Sequence, residues 1–312
     1  MIGGRRSDGC RNSDQKRGGR AGAGPGVELD PSAAALGPLR RSDDAAGDPG
    51  ELNRRLDEDG YLFIPGHLDR ELVLEARRDL LNGFAVLSAF APGSDPELAV
   101  AAKPFPPLGI LSDVARDGAP LMSVLYGSRM IAFYERLFEE AVRHYDFTWL
   151  RAVPPGRGTK PHGDSVFMNR GTTRQLTAWV PLGDVDLVQG GLVVLEGSHR
   201  LDEIRRTYGD LDVDTFCLDQ DGAQPRWEGW ISEDPRGLRD QLGLRWVTGD
   251  FRAGDLLTFT AYTLHASLDN TGDRVRLSSD SRYQRAAEAV DPRWVGSVPT
   301  AHGPDSQLGV IC

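Results

Sequence analysis

The sequence lacks the features that mark a membrane-spanning or a disulfide-rich protein. No apolar run approaches the roughly 20 residues that cross a bilayer as a helix. No apolar segment of the secretory type follows the basic residues near the start. The three cysteines, Cys10, Cys217 and Cys312, lie too far apart to outline a disulfide framework or a zinc spacing. We therefore expect a cytoplasmic protein in a reducing setting.

An excess of positive charge is also absent. The 312 residues carry a formal net charge of −10, which gives no electrostatic reason to expect nucleic acid or an anionic membrane as a partner. No Gly-x-Gly-x-x-Gly motif follows a predicted strand, which argues against a doubly wound dinucleotide-binding sheet. A small-molecule substrate is the expected partner.

Aromatic residues are missing from residues 1–50, a stretch crowded with Gly, Ala, Arg, Asp and Pro. Such a segment buries too little apolar surface to offset its ordering entropy, so we expect a disordered tail. The main domain is predicted over residues 51–290, with a Pro- and Gly-rich loop at 91–119 and a polar insertion, a candidate lid, at about 200–249. Residues 291–312 are expected to form a loose C-terminal tail.

Hydrophobic spacing predicts helices first and strands later. Helical spacing occurs in residues 51–60, in a segment that Asp69 would cap, and in residues 119–143. Alternating and β-branched segments predict strands at 61–65, 147–153, 175–181, 191–196, 256–260 and 274–278. This order predicts an α+β protein with a jelly-roll, cupin-like core (a double-stranded β-helix) and flanking N-terminal helices.

A histidine and a carboxylate stand two residues apart in His162-Gly-Asp164. On an extended strand, side chains two positions apart point the same way, so the imidazole and the carboxylate would converge. That pair suits two of the three ligands of a 2-His-1-carboxylate iron site. A hydrogen-bonded surface pair is the alternative, and the rest of the chain must supply the third ligand.

His265 lies between two predicted strands, and Arg276 follows eleven residues later. An arginine that faces the interior of a barrel is costly unless an acid pairs with it, and a guanidinium can grip a carboxylate with two hydrogen bonds. His265 as the third metal ligand and Arg276 as the anchor of a dicarboxylate are therefore chemically consistent. Alternatively, His265 caps a turn and Arg276 pairs with a structural acid such as Asp280.

Residues 51–285 resemble the phytanoyl-CoA dioxygenase family, whose members are non-haem iron(II), 2-oxoglutarate-dependent oxygenases with a jelly-roll core. The stretches that carry the resemblance are Asp59 to Pro65, His162 to Asp164, Thr177 to Leu182, Gly190 to His199, Gly254 to Phe259, and His265 to Ser267 with Arg276 beyond. The resemblance implies Fe(II), 2-oxoglutarate and O2 as cofactor and cosubstrates. It also implies that the protein hydroxylates, or otherwise oxidises, a small organic molecule and releases succinate and CO2.

The resemblance also assigns roles to individual residues. The implied metal ligands are His162, Asp164 and His265. Arg276 and Ser267 would hold the distal carboxylate of 2-oxoglutarate, and Trp179 would line its pocket. Glu196 departs from the family pattern, which usually has Pro at that position of the turn. Two rivals remain: a cupin-type metalloenzyme that performs no oxidation, and a catalytically inactive binding protein on the same fold.

Overall fold

The computed structural model describes residues 35–106, 115, 118–216 and 227–301. Within these residues the α-helices are α1 (Pro49–Asp59), α2 (Arg70–Val86), α3 (Ala119–Tyr126), α4 (Ser128–Phe138), α5 (Asp202–Arg206), α6 (Val213–Phe216) and α7 (Pro235–Leu242). The strands are β1 (Leu36–Pro38), β2 (Tyr61–Ile64), β3 (Val142–His144), β4 (Trp149–Val153), β5 (Thr159–His162), β6 (Leu176–Pro181), β7 (Leu192–Leu195), β8 (Trp246–Thr248), β9 (Leu256–Thr260), β10 (His265–Ser267) and β11 (Arg276–Arg285). No described helix is both long and apolar enough to cross a membrane.

Local chemistry explains where the first helices begin and end. The Asp48 side chain accepts a hydrogen bond from the Glu51 backbone N–H, and the left-handed Gly60 (φ 84°) ends α1. The Asp69 carboxylate caps α2 in the same way. Gly60 as a helix stop and Asp69 as a cap were both predicted from the sequence, and both predictions are confirmed.

Two sheets face each other and form the predicted jelly roll. The first sheet has the strand order β1-β8-β7-β10-β5, and the second has the order β2-β9-β6-β11-β3, with β4 also paired to β11. Apolar side chains of both sheets pack between them, including Trp179 and Phe259 from the second sheet and Val194 and Val247 from the first. The expected α+β class with a double-stranded β-helix core is confirmed.

The helices cover the outer face of the second sheet. Alternate residues of its strands, such as Ala178, Val180 and Leu277, join the helices in one large hydrophobic cluster. The intervening residues therefore point between the sheets, because successive side chains of a strand alternate faces. On β11 this interior set includes Arg276, Asp280 and Arg282, all of them buried.

Residues 35–50, which we expected to belong to a disordered tail at residues 1–50, are part of the folded structure. Strand β1 pairs in parallel with β8, and Leu39 is buried between the sheets. Residues 35–50 are thus held without any aromatic residue of their own, by pairing with a distant strand, by burial of Leu39 and by ion pairs such as that of Asp44 with Arg55. The rest of the expected tail, residues 1–34, lies outside the described residues.

Two other expected boundaries also differ. The insertion expected at about 200–249 includes β8, a strand of the first sheet, and Trp246 of that strand is fully buried. The tail expected from residue 291 begins with Asp291, Arg293 and Trp294, which are all buried. Trp294 packs on Trp149, with ring centroids 4.9 Å apart. Residues 217–226 and 302–312, which include Cys217, Cys312 and part of the expected tail, lie outside the described residues, as does Cys10.

The expected long loop at 91–119 contains a short 3-10 helix, Pro96–Leu98, and isolated bridges at Val100 and Ala101. Residues 107–114, 116 and 117 of this loop lie outside the described residues.

Candidate metal centre

Two neighbouring strands and a turn bring His162, Asp164 and His265 together. His162 is the last residue of β5, and His265, the first residue of β10, is its cross-strand partner. Their imidazole centroids are 4.3 Å apart. One potential ligand atom from each of the three residues lies within 4.8 Å of the others. This is the only such group of three or more His, Cys, Asp or Glu residues in the part of the chain that the structure describes.

Asp164 reaches this point by a route that we did not expect. We predicted that His162 and Asp164 share one extended strand, but β5 ends at His162 and Asp164 begins the 3-10 helix Asp164–Val166. The turn still directs the carboxylate inward, and Asp164 Oδ1 lies 3.9 Å from His265 Nε2. The predicted convergence is therefore present, although the predicted strand geometry is wrong.

His162 and His265 both use Nδ1 for a backbone contact, which leaves Nε2 of each ring for the space that the two histidines share with Asp164. His162 Nδ1 lies 2.7 Å from the carbonyl oxygen of Lys160, and His265 Nδ1 lies 3.0 Å from that of Thr263. Donation of the Nδ1 proton to a carbonyl leaves Nε2 with a lone pair directed at the centre, the arrangement found in metal-binding histidines. This donor set of two imidazoles and one carboxylate fits a divalent iron ion.

The ionisation states of these three side chains also favour the binding of a cation. Burial and the neighbouring His265 lower the pKa of His162 to about 3, and burial lowers the pKa of His265 although Asp164 opposes that shift. Burial alone would raise the pKa of Asp164, but the Arg282 guanidinium and the two imidazoles hold it well below its usual range. At neutral pH the site therefore presents two neutral imidazoles and one carboxylate anion.

Two contacts of Asp164 were missed by the sequence analysis. Its Oδ2 atom accepts hydrogen bonds from the Thr177 hydroxyl and from Arg282 Nη2, the latter at 3.0 Å. The period-two pattern of β11 could have placed Arg282 on the same face as Arg276, because the two residues are six positions apart. The contact with Thr177 has no local signal, since it depends on how β6 and β11 pair.

Arg276 is buried in the interior with only 1% of its surface exposed. Its Nη1 donates to the carbonyl oxygen of Gly190, and its Nε has no hydrogen-bond partner in the described structure. The alternative partner, Asp280, instead forms an ion pair with Arg151 at 2.8 Å. Burial, followed by repulsion from Arg151, lowers the pKa of Arg276 to about 10 while Asp280 partly offsets the shift. Arg276 is therefore a buried cation with no carboxylate within ion-pair distance among the described residues.

Ser267 and Trp179 are both buried on interior-facing positions. Ser267 lies two residues after His265 on β10, and its hydroxyl oxygen accepts a hydrogen bond of 3.0 Å from the Thr159 backbone N–H. The Trp179 ring packs on Phe251 with centroids 4.7 Å apart, and its indole N–H is buried with no partner among the described residues. Their roles toward 2-oxoglutarate remain predictions.

Part of the expected lid is hydrogen-bonded to the backbone of β5, the edge strand of the first sheet. The Ile231 backbone N–H donates to the carbonyl oxygen of Pro161 at 2.9 Å. The Tyr208 hydroxyl donates to the carbonyl oxygen of Gly229 at 2.6 Å and accepts from the Gly163 backbone N–H at 2.9 Å. One tyrosine thus joins this segment to the residue between His162 and Asp164.

A jelly roll in which two histidines and one carboxylate converge between the sheets has the donor set of a mononuclear non-haem metal site. The chain belongs to the phytanoyl-CoA dioxygenase (PhyH) family, whose sequence pattern matches residues 56–278. It is a phytanoyl-CoA dioxygenase-like enzyme. The resemblance noted in the sequence is confirmed.

Individual relatives agree with this assignment. The chain is 26% identical to 1-deoxypentalenic acid 11-beta-hydroxylase of Streptomyces exfoliatus over 247 residues, which cover 76% of this chain and 81% of the relative. The structure is similar to that of SnoK, a non-heme alpha-ketoglutarate-dependent carbocyclase from nogalamycin biosynthesis (TM-score 0.57, 22% identity, 78% of this chain and 86% of that chain). It is also similar to the epimerase SnoN in complex with Fe3+, alpha-ketoglutarate and nogalamycin RO (TM-score 0.55, 24% identity, 81% of this chain and 94% of that chain). The two structural likenesses show a shared fold.

Proposed function

We propose that the protein is an Fe(II)- and 2-oxoglutarate-dependent dioxygenase that hydroxylates, or otherwise oxidises, a small organic molecule and releases succinate and CO2. His162, Asp164 and His265 bind the iron, and Arg276 anchors 2-oxoglutarate. The observation that carries this proposal is the combination of a His-Asp-His group, in which Asp164 and His265 are buried and His162 is partly buried, with a buried guanidinium that has no carboxylate partner among the described residues.

The environment of Arg276 supports a dicarboxylate as its partner. A guanidinium taken out of water without a counter-ion is costly, and a carboxylate that accepts two parallel hydrogen bonds compensates that cost. The interior also contains the buried guanidinium groups of Arg276 and Arg282 and the partly buried one of Arg151, whereas the carboxylates paired with them are Asp164 and Asp280. The excess positive charge favours an anionic cosubstrate. Ser267 on β10 and Trp179 on β6, which face the interior from opposite sheets, are proposed to complete its pocket.

When bound, iron with 2-oxoglutarate supplies the activation of O2 for oxidation of a C–H bond. The residues of the chain have the separate task of binding and orienting the reactants and excluding water. The segment around Gly229 and Ile231 adjoins β5, and Phe167 lies against His162 with ring centroids 5.9 Å apart. These residues are proposed to form the apolar wall on which the substrate rests.

Hydroxylation is the outcome favoured by the relative named as an 11-beta-hydroxylase, which shares 26% identity with this chain. Halogenation is not expected, because a halide needs a coordination position that enzymes of this kind obtain by lacking the carboxylate ligand. Asp164 stands in that position with its carboxylate ionised and directed at the histidines.

The test begins with metal-free protein kept under anaerobic conditions and titrated with Fe(II). We expect about one iron per chain, and 2-oxoglutarate-dependent O2 consumption with succinate formation once iron is present. Asp164→Ala and His265→Ala should abolish tight iron binding, whereas Asp210→Ala, which removes an exposed carboxylate, should not. Equal iron affinity and succinate formation in all three variants would refute the assignment. Iron binding without succinate formation from 2-oxoglutarate would favour the non-oxidative metalloenzyme instead.

A further inference from the structure

The two carboxylate oxygens of Asp164 have different surroundings. Oδ2 is held by the Thr177 hydroxyl and by Arg282 Nη2, which lies 3.0 Å away. Oδ1 is the oxygen nearest to the histidines, 3.9 Å from His265 Nε2. One oxygen is therefore occupied by protein donors, and the other is directed at the metal position.

The two donors are themselves fixed by the sheet. Arg282 on β11 and Thr177 on β6 are directly opposed cross-strand partners, so their side chains meet on the same interior face. The Arg282 guanidinium lies 4.1 Å from the centroid of the Trp149 ring, and only 2% of its side chain is exposed. Its Nη1 also lies 3.9 Å from Asp280 Oδ2, so a buried row of alternating charges supports the contact with Asp164.

We propose that Arg282 and Thr177 are positioning residues that restrict Asp164 to binding the metal through Oδ1 alone. This inference rests on the proposed function, because it requires a metal at the His-Asp-His group. Binding through one oxygen affects how many coordination positions of the metal stay open. A metal bound by one atom from each of three side chains keeps about three positions of an octahedron open, and these remain available for cosubstrates. If Asp164 bound through both oxygens, one of those positions would be lost.

The inference predicts the number of waters on a bound ion. Mn(II) serves as the probe, because the line broadening of its electron paramagnetic resonance signal in 17O-enriched water reports how many waters it binds. We expect about three waters in the unmodified protein. Thr177→Val removes the hydroxyl with little change of shape, and Arg282→Met removes the guanidinium while retaining a long buried side chain. Each variant removes one of the two donors to Oδ2, and the loss of the charged donor should weaken the restraint more, so the number of waters should fall to about two in Arg282→Met, with an intermediate value in Thr177→Val.

Mn(II) affinity provides a second measurement. Loss of a hydrogen bond to a ligand typically weakens metal binding about 10- to 100-fold, so Thr177→Val should fall near the lower end of that range and Thr177→Ser should restore the affinity. Arg282→Met also removes a positive charge beside a cation, which opposes the loss, so the number of waters is the decisive measurement for that variant. Arg293→Met is the matched control, because Arg293 is equally buried but pairs with Asp291 at 2.6 Å. Its number of waters should match that of the unmodified protein.

The outcomes separate the two proposals. If the unmodified protein binds no Mn(II), the proposed function fails together with this inference. If it binds Mn(II) with about two waters, Asp164 already uses both oxygens and the inference is overturned while the metal site stands. The inference is likewise overturned if Thr177→Val and Arg282→Met both keep about three waters. If Arg282→Met does not fold, the comparison of Thr177→Val with Thr177→Ser decides the matter.

Discussion

Replacement of Arg276 by methionine separates a ligand-binding arginine from one that stabilises the fold. The guanidinium is buried, its Nη1 donates to the carbonyl oxygen of Gly190, and no carboxylate pairs with it among the described residues. Methionine keeps an unbranched apolar stem in the space. The folded protein thus loses one hydrogen bond from a charged donor to a carbonyl oxygen, a loss of about 1.5–3 kcal/mol, and is relieved of burying a charge. These effects oppose each other, so the stability of the ligand-free protein should change little.

The effect on 2-oxoglutarate should be much larger. Truncating one partner of a buried hydrogen-bonded charge pair costs about 2–5 kcal/mol, and each 1.4 kcal/mol corresponds to about a tenfold change in affinity. The dissociation constant of 2-oxoglutarate should therefore rise by roughly 30-fold to several thousand-fold in Arg276→Met. Arg276→Lys keeps the charge but cannot form the bidentate pair of hydrogen bonds, so its affinity for 2-oxoglutarate should lie between those of Arg276→Met and the unmodified protein.

The assay is calorimetric titration of 2-oxoglutarate into the Mn(II)-loaded protein without O2, so that no turnover consumes the ligand. Urea unfolding of the ligand-free variants supplies the stability measurement. Arg293→Met is the control, because it leaves the buried carboxylate of Asp291 without its guanidinium, and breaking a buried pair in this way costs about 3–5 kcal/mol. An Arg276→Met protein that binds 2-oxoglutarate as tightly as the unmodified protein would refute the reasoning. So would a loss of stability as large as that of the Arg293 variant.

Three further predictions follow from the structure. Removing residues 1–48 should lower the melting temperature relative to removing residues 1–34, because only the longer deletion removes β1 and the buried Leu39; equal melting temperatures would contradict this. The unmodified enzyme, run in chloride or bromide, should give a product without halogen by mass spectrometry, and a halogenated product would mean that Asp164 does not reach the metal. The pKa of His162 is lowered to about 3, so the unfolded state binds more protons than the folded state below about pH 6.5. As the pH decreases below that value, the unfolding free energy of the metal-free protein should therefore decrease by up to about 1.4 kcal/mol per pH unit for this group. His162→Gln should show a shallower decline of unfolding free energy between pH 6.5 and pH 5, and an identical slope would contradict the prediction.

Local patterns in the sequence determined several strands and helices and the residues of the candidate metal site. Alternation of apolar residues is a property of each strand alone, so β6, β9 and the start of β11 were predictable to within two residues. Asp69 and Gly60 act through hydrogen bonds and backbone angles within a few residues, so the ends of the first helices were predictable as well. The pair His162 and Asp164 was predictable because the residue types and their spacing are the chemical signal.

The tertiary structure decided the features that depend on which distant segments meet. Strand β1 is ordered because it pairs with β8, about two hundred residues away, and no pattern within residues 35–50 predicts that pairing. Asp280 could have paired with Arg276, but the pairing of β11 with β4 places Arg151 against it instead. Likewise, the contact of Arg282 and Thr177 with one oxygen of Asp164 requires the register of β11 against β6. A shift of one residue in that register would turn these side chains to the other face, so long-range strand pairing sets the orientation of the Asp164 carboxylate.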